Sequence, residues 1–196
     1  MWPLILFNAV YLLAGSLYFL QTTNLEFVIY VAVIVAILGG VFSTINRTKF
    51  PRWMLWLLSF WGLLHVLGGA VRIGDAVLFA YQVYPFLDLG EDLYILKYDQ
   101  LVHFYLYGLV AVMAYHLLRN VIGVTEHSKL VFFFSVLASV GVSALNEIME
   151  FLIAVSIEQN GVGGYENAML DFCFNLAGAL VAASLYHYLA KRQSVL

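Results

Sequence analysis

The sequence predicts an all-α fold: a polytopic integral membrane bundle of about six transmembrane helices, with both termini cytoplasmic. Three observations predict it. Of 196 residues, 63% are hydrophobic and 11% charged, against about 25% charged in an average soluble domain. The apolar residues gather into runs that match the roughly 20 helical residues needed to cross about 30 Å of hydrocarbon. Lysine and arginine collect in alternate connections between those runs, as expected of one face of a membrane.

Six runs qualify, over residues 3–20, 27–43, 53–71, 101–118, 130–155 and 168–190. Pro3 suits a first helical turn, where its missing N–H is no loss. The first run has no basic leader and ends without a clean small-residue cleavage site, so it is expected to be a helix and not a signal peptide. The second connection, NRTKFPR, carries Arg47, Lys49 and Arg52. Arg119 and Lys129 lie in the fourth connection, and Lys191 and Arg192 in the C-terminal tail. The opposite side has Arg72 and Lys97 against Asp75, Asp88, Glu91, Asp92, Glu158 and Glu166.

Between the third and fourth runs, residues 72–98 are long for a loop and include the apolar stretch AVLFAYQVYPF. Backbone at membrane depth must find its hydrogen bonds internally, so 76–86 reads as an interfacial or re-entrant segment. Tyr81, Tyr84 and Tyr94 fit the aromatic belt at headgroup level. The segment is expected to be an interfacial anchor or a lid over the outer mouth. No internal repeat or second domain interrupts residues 1–196, which are read as a single transmembrane domain. A net charge of −3 argues against nucleic acid as a partner. The lone Cys173 excludes an intrachain disulfide framework and a multi-cysteine metal site, and is expected to be a small packing residue.

In such a bundle the informative residues are the ionisable ones inside the spans. Each costs about 2.5–3.5 kcal/mol at a helix centre on insertion scales, so it faces a partner or a wet cavity. The third helix carries His65 and, seven residues on, Arg72. The fourth opens with KYDQLVHF, which sets Asp99 and His103 four residues apart on one face. The fifth holds Asn146, Glu147 and Glu150 in ALNEIMEF, and the sixth opens with MLDFCFNLAGA, aligning Asp171, Asn175 and Gly178. At about 1.5 Å per residue, His103 lies roughly 6 Å inside its outer helix end, Glu150 and Glu147 roughly 7 and 12 Å, Asp171 and Asn175 roughly 5 and 10 Å, and His65 about 9 Å. Antiparallel helices have placed their polar residues at one level. The sequence thus predicts one polar cavity in the outer half of the bundle.

Three readings compete for it. One is a buried hydrogen-bond network that fixes packing. A second is a divalent metal site, since carboxylate, amide oxygen and imidazole without thiolate suit Mg²⁺, Mn²⁺, Zn²⁺ or Fe²⁺; the E-x-x-E spacing is not that of di-iron bundles, which use E-x-x-H. The third is a proton or cation relay. His116 and His187, near the cytoplasmic helix ends, and His127, in a loop, are expected to snorkel at the interface. Gly62, Gly69 and Gly178 suit close helix packing. The glycines of IEQNGVGGYEN read as turn residues.

LLHVLGGA, KYDQLVHFYLYG, NEIMEF and MLDFCFNLAGAL, in this order over about residues 60–185, resemble the YjdF-like family of bacterial inner-membrane proteins. More distantly they are similar to VanZ-like proteins, which share the D-x-x-x-H, acidic-helix and D-x-x-x-N-x-x-G series. The resemblance implies that His65, Asp99, His103, Glu147, Glu150, Asp171 and Asn175 occupy the family's polar positions. It also implies a bacterial inner membrane as location and, through the glycopeptide resistance associated with VanZ-like members, envelope chemistry. The chain departs from the pattern at GVGGYENAM, before the sixth helix.

The leading expectation is a metal-dependent membrane hydrolase or transferase acting on an envelope lipid or other small amphiphile. A divalent ion would be held by Glu147, Glu150 and Asp171 with His103 as ligand or general base, and Asp99 would orient the imidazole. His103, Asp99 and Glu147 are the candidate catalytic residues; His65, Arg72 and Asn175 are the candidate substrate contacts. The alternatives are a small proton- or cation-coupled transporter and an assembly subunit with a structural polar core. Membrane lipids are expected partners, and a homo-oligomer is left open.

Overall fold

A computed structural model describes residues 1–88, 94–126, 128–158 and 160–193. Glu91, Asp92 and His127 lie outside the described residues, as do the side chains of Asp88, Tyr94, Lys191 and Arg192. Six described helices are long and apolar enough to cross a bilayer. They are α1 (Trp2–Gln21), α2 (Leu25–Ser43), α4 (Arg52–Ala70), α5 (Tyr98–His116, continued by a π-helical turn Leu117–Val121), α6 (Ser128–Ser156) and α7 (Tyr165–Gln193), with a single turn, α3 (Ile45–Thr48), between α2 and α4.

Local chemistry sets the helix ends. Pro3 stands in the first turn of α1, and Asn24 caps α2 by accepting from the Phe27 N–H at 3.3 Å. Lys49 adopts a left-handed backbone, φ 52°, that stops α3. Gln100 folds back so that its Oε1 accepts from the Leu96 and Lys97 N–H groups, at 2.8 and 3.1 Å. Two donors at the start of α5 are thereby satisfied.

The helices form two interlocked groups. α1 packs on α2 and α4; α4 also meets α5; and α5 lies against both α6 and α7, most extensively α7. Small residues set the close approaches. Tyr11 crosses Gly62, the Phe27 ring crosses Gly69, and the Phe104 carbonyl of α5 crosses Gly178 of α7. On α6, Ser135, Ser139, Ser143 and Glu147 are buried at four-residue intervals, whereas Phe133, Phe134, Leu145 and Phe151 face outward. This polarity is inverted relative to a soluble helix and fits a hydrocarbon surround, where outward apolar side chains carry no penalty. Cys173 is exposed on α7, contrary to the packing role expected of it.

The connection between α4 and α5 is built of strands that hydropathy does not reveal. β1 (Arg72–Ile73) pairs with β2 (Ala76–Val77), a 3-10 turn Leu78–Ala80 follows, and β3 (Gln82–Asp88) pairs antiparallel with β4 (Tyr94–Lys97). Pairing engages the backbone at Arg72–Val77, Ile73–Ala76, Gln82–Lys97, Leu87–Ile95 and Asp88–Tyr94. The 3-10 turn drives Phe79 into the bundle end, 5.0 Å from the His65 ring and 5.8 Å from Phe27. α4 stops at Ala70, so the shared helical face expected for His65 and Arg72 is not formed. Arg72 is exposed in β1 and hydrogen-bonds the Asp75 carbonyl across the first hairpin.

At the other end, His116 is buried, not snorkelling. Its Nε2 lies 3.2 Å from the Thr48 carbonyl and its Nδ1 2.9 Å from Asn120 Nδ2. His187 Nδ1 shares a 2.9 Å hydrogen bond with Tyr115 OH.

Candidate functional site

Three helices converge on one polar centre near the start of α5, the end of α6 and the start of α7. α5 supplies Asp99 and His103, α6 supplies Asn146, Glu147 and Glu150, and α7 supplies Asn167, Asp171 and Asn175. His103 is the hub. Its Nε2 lies 3.6 Å from Asp99 Oδ1 and 3.8 Å from Glu150 Oε1, and its Nδ1 lies 3.8 Å from Glu147 Oε1. Asp171 and Asn175 are fully buried, and Asp99, with 22% of its side chain exposed, is the most open of the acids facing His103.

Asn175 fixes the geometry. Its Oδ1 is 3.0 Å from His103 Nδ1 and its Nδ2 donates to Glu147 Oε1 at 3.3 Å. An amide oxygen can only accept, so Nδ1 carries a proton toward Asn175, and Nε2 faces Asp99 and Glu150. Both polar atoms of Asn175 are committed inside the protein.

The carboxylates share a pattern. Each of three has one oxygen held by an asparagine amide: Glu147 by Asn175, Glu150 by Asn146 at 2.6 Å, and Asp171 by Asn167 at 2.7 Å. Lys97, buried at the end of β4, donates in turn to Asn167 Oδ1. Of the remaining oxygens, Glu147 Oε2 and Asp171 Oδ1 are buried without a hydrogen-bond partner among the described residues. Such orphaned acceptors are uncommon, and each calls for an explanation such as a bound ion or water.

The same side chains make two groups able to hold a metal ion: Asp99, His103 and Asp171, and Glu147, Glu150 and Asp171, the ligand atoms of each lying within 4.8 Å of one another. Metal–ligand bonds of about 2.0–2.6 Å let atoms so spaced reach a common ion. Oxygen and imidazole ligands without thiolate suit Mg²⁺, Mn²⁺, Zn²⁺ or Fe²⁺.

The sequence-derived residues separate into two sets. Asp99, His103, Glu147, Glu150, Asp171 and Asn175 come together. His65 stands apart in an aromatic cage with Tyr30 at 5.1 Å, Phe79 at 5.0 Å and Trp61 at 5.7 Å, and its buried Nε2 lacks a hydrogen-bond partner among the described residues. Arg72 stays in the hairpin. Sequence reasoning missed Asn167 and Lys97. Asn167 continues the four-residue spacing of Asp171 and Asn175 one turn earlier, a signal that was available; Lys97 has no such periodicity.

Among the described residues, a helical bundle with six candidate spans and a buried acidic–imidazole centre defines a class of multi-pass membrane protein. The chain belongs to the family described as predicted membrane protein (DUF2238), whose model matches residues 3–192. It is the YjdF-like family that the motif order resembles. No curated protein and no solved structure matches the chain.

Proposed function

We propose that this protein is a divalent-metal-dependent membrane hydrolase or transferase whose centre acts on an envelope lipid or related amphiphile. The observation that carries the reading is the pair of orphaned carboxylate oxygens, Glu147 Oε2 and Asp171 Oδ1, on side chains whose other oxygen is held by an asparagine amide. Each unsatisfied buried group costs about 1–3 kcal/mol, a cost that a bound cation would offset for both oxygens at once. Glu147, Glu150 and Asp171 are the ligands, with His103 Nε2 as ligand or general base.

A bound ion would supply Lewis acidity and a water of lowered pKa. The chain's own residues do the rest. Asn175 accepts the Nδ1 proton of His103 and so fixes the ring with Nε2 aimed at the acids. Asn146 and Asn167 restrain Glu150 and Asp171 before any ligand arrives, which reduces the ordering lost on binding. Asp99, the most exposed of these acids, faces Nε2 and can relay a proton outward. Asn175 therefore serves as a positioning residue, and Lys97, not Arg72, is joined to the centre, through Asn167.

The basic residues support an orientation with both termini cytoplasmic. Arg47, Lys49, Arg52 and Arg119 share one end of the bundle, where His116 meets Thr48, and the acidic centre lies toward the other. The family resemblance supports a bacterial inner membrane, and the VanZ-like motif order supports an envelope substrate. Cysteine substitutions at Lys49 and Glu158, labelled from outside intact cells in a Cys173→Ala background, test the orientation. Only the second is expected to react.

The test of function begins with metal content. Mass spectrometry of the purified, detergent-solubilised protein is expected to show near-stoichiometric metal, lost in Glu147→Ala and Asp171→Ala. Metal-free wild type, with both variants folded, would discard the assignment and favour proton relay or a structural network.

A further inference from the structure

An elongated cavity of about 590 Å³ runs between α2, α4, α5 and α6, within the size range of small-molecule sites. Its polar lining gathers at one end, where Tyr30, His65, Tyr107 and Asn146 meet; Val41, Phe50 and Leu117 line the other end. Its wall runs from Tyr30 to Val41 on α2 and from Leu106 to Leu117 on α5, in each case about 16 Å at 1.5 Å per residue. The cavity is therefore a slot parallel to the helices, shaped for a chain more than for a compact ring.

The polar end adjoins the acidic centre. Asn146 lines the slot and donates to Glu150 Oε1 at 2.6 Å. Tyr107 lines it too, with its ring centroid 5.9 Å from that of His103. His65 contributes at the same end its Nε2, which has no hydrogen-bond partner among the described residues. α2 belongs with α1 and α4, and α6 with α5 and α7, so the slot divides the two groups, with exposed Ile37 and Val142 among its lining.

We propose that this slot seats the hydrocarbon chain of a single-chain amphiphile whose anionic head reaches the acidic–imidazole centre, entering sideways from the membrane between α2 and α6. The head placement rests on the metal-centre reading; the chain placement rests on the slot alone. An anionic oxygen is the head that a carboxylate-held cation recruits.

Trp61 lines the slot and is buried, whereas Trp2, Trp53 and Trp56 are exposed. Replacing those three by phenylalanine leaves Trp61 as the reporter. The probe is a monoacyl phosphate brominated along its chain, titrated into detergent-solubilised protein. Saturable quenching is expected, and it is expected to be lost in Ala138→Phe and reduced in Ala114→Leu, both of which fill the slot away from the acids and should keep wild-type metal content. Linear quenching, equal with and without the filled slot, would mean bulk partitioning and would overturn the proposal, as would saturable quenching that both variants leave intact. Where metal is present, Glu147→Ala is expected to weaken the monoacyl phosphate by about tenfold or more, and equal affinity would overturn the head placement. Saturable, slot-dependent quenching in metal-free wild type would sink the metal reading and leave the chain site standing; bound metal without saturable quenching would do the reverse.

Discussion

Gly178 is the position where one added methyl group tests the fold and the centre together. A Cβ there would fall within 3.0 Å of the carbonyl oxygen, carbonyl carbon and Cα of Phe104 on α5. All three are backbone atoms, so no side-chain rotation relieves the overlap. Non-bonded atoms rest about 3.5 Å apart, and α5 and α7 must therefore separate by roughly 1 Å. Overpacking of this kind costs about 1–3 kcal/mol. One turn away, the 3.0 Å contact between His103 Nδ1 and Asn175 Oδ1 would stretch out of hydrogen-bond range, removing roughly 0.5–1.5 kcal/mol more. At about 2–4 °C per kcal/mol for a chain of this size, Gly178→Ala should melt at least about 3 °C below a helical Gly→Ala control that meets no clash. Gly108→Ala, where the added atom meets the Gly178 carbonyl oxygen at 3.1 Å, should fall less. Gly39→Ala and Gly40→Ala, with nothing within 4 Å, should be neutral or gain about 0.5–1 kcal/mol from helix propensity. Thermal unfolding in detergent, followed by tryptophan fluorescence, reads all four. A Gly178→Ala protein that melts with the Gly39→Ala control would refute the close α5–α7 crossing.

Chelation should destabilise the wild type: metal at 100 times its Kd contributes about 2.7 kcal/mol, so EDTA should lower Tm in wild type and leave Asp171→Ala unmoved. An EDTA shift of the same size in Asp171→Ala would place the metal elsewhere. Asn8 donates to Ser59 Oγ at 2.8 Å and accepts from Tyr11 OH at 2.8 Å, and interhelical hydrogen bonds in membranes average about 0.6 kcal/mol with a maximum near 1.7. Asn8→Leu should thus lose no more than about 2 kcal/mol in unfolding measurements, and a larger loss would mark this network as a second structural centre. Glu26 accepts from the Gly161 N–H at 2.8 Å, pinning the α6–α7 loop to α2. Amide hydrogen exchange at Gly161 should quicken in Glu26→Ala and stay slow in Glu26→Gln; unchanged exchange in the alanine variant would show that the pin carries no load.

The six helices were legible because hydrocarbon selects for apolar length alone, and that is a composition signal. Their ends were less so. α5 begins at Tyr98 and α7 at Tyr165, three residues before the apolar runs, because polar residues enter a first turn when their groups have partners there. Gln100 supplies them in α5, and Asn167 finds Lys97 and Asp171 in α7. The residues at four-residue spacing within single helices were placed correctly as neighbours, since helical geometry fixes those distances. Contacts that cross the chain were not readable: Glu26 and Gly161 lie 135 residues apart, and nothing local announces them. Lys97 follows Leu96, whose φ of 80° no residue pattern predicts. β3 escaped because the register shift between Gln82 and Leu87 breaks the two-residue alternation on which strand recognition depends.

Packing and chemistry use the same seam, and one substitution separates them. Ser135, Ser139, Ser143 and Glu147 form one inward stripe on α6, and Asn167, Asp171 and Asn175 another on α7. Small or amide-bearing residues at these positions bring the helices together, so Glu147 and Asp171 are packing residues as well as members of the centre. Glu147→Gln keeps the shape and an oxygen that can accept from Asn175 Nδ2, and it removes the charge. If the centre serves packing alone, replacing a buried charge by a neutral isostere should be neutral or stabilising, with no other consequence. If Glu147 is a ligand, the same change should leave apo-protein stability equal or higher while metal content falls, the trade expected where a strained site is kept for function. Stability and metal content measured on one preparation therefore decide between the readings. Unchanged metal content in a stable Glu147→Gln protein would remove Glu147 from the ligand set, with Asp99, His103 and Asp171 left as the other candidate group.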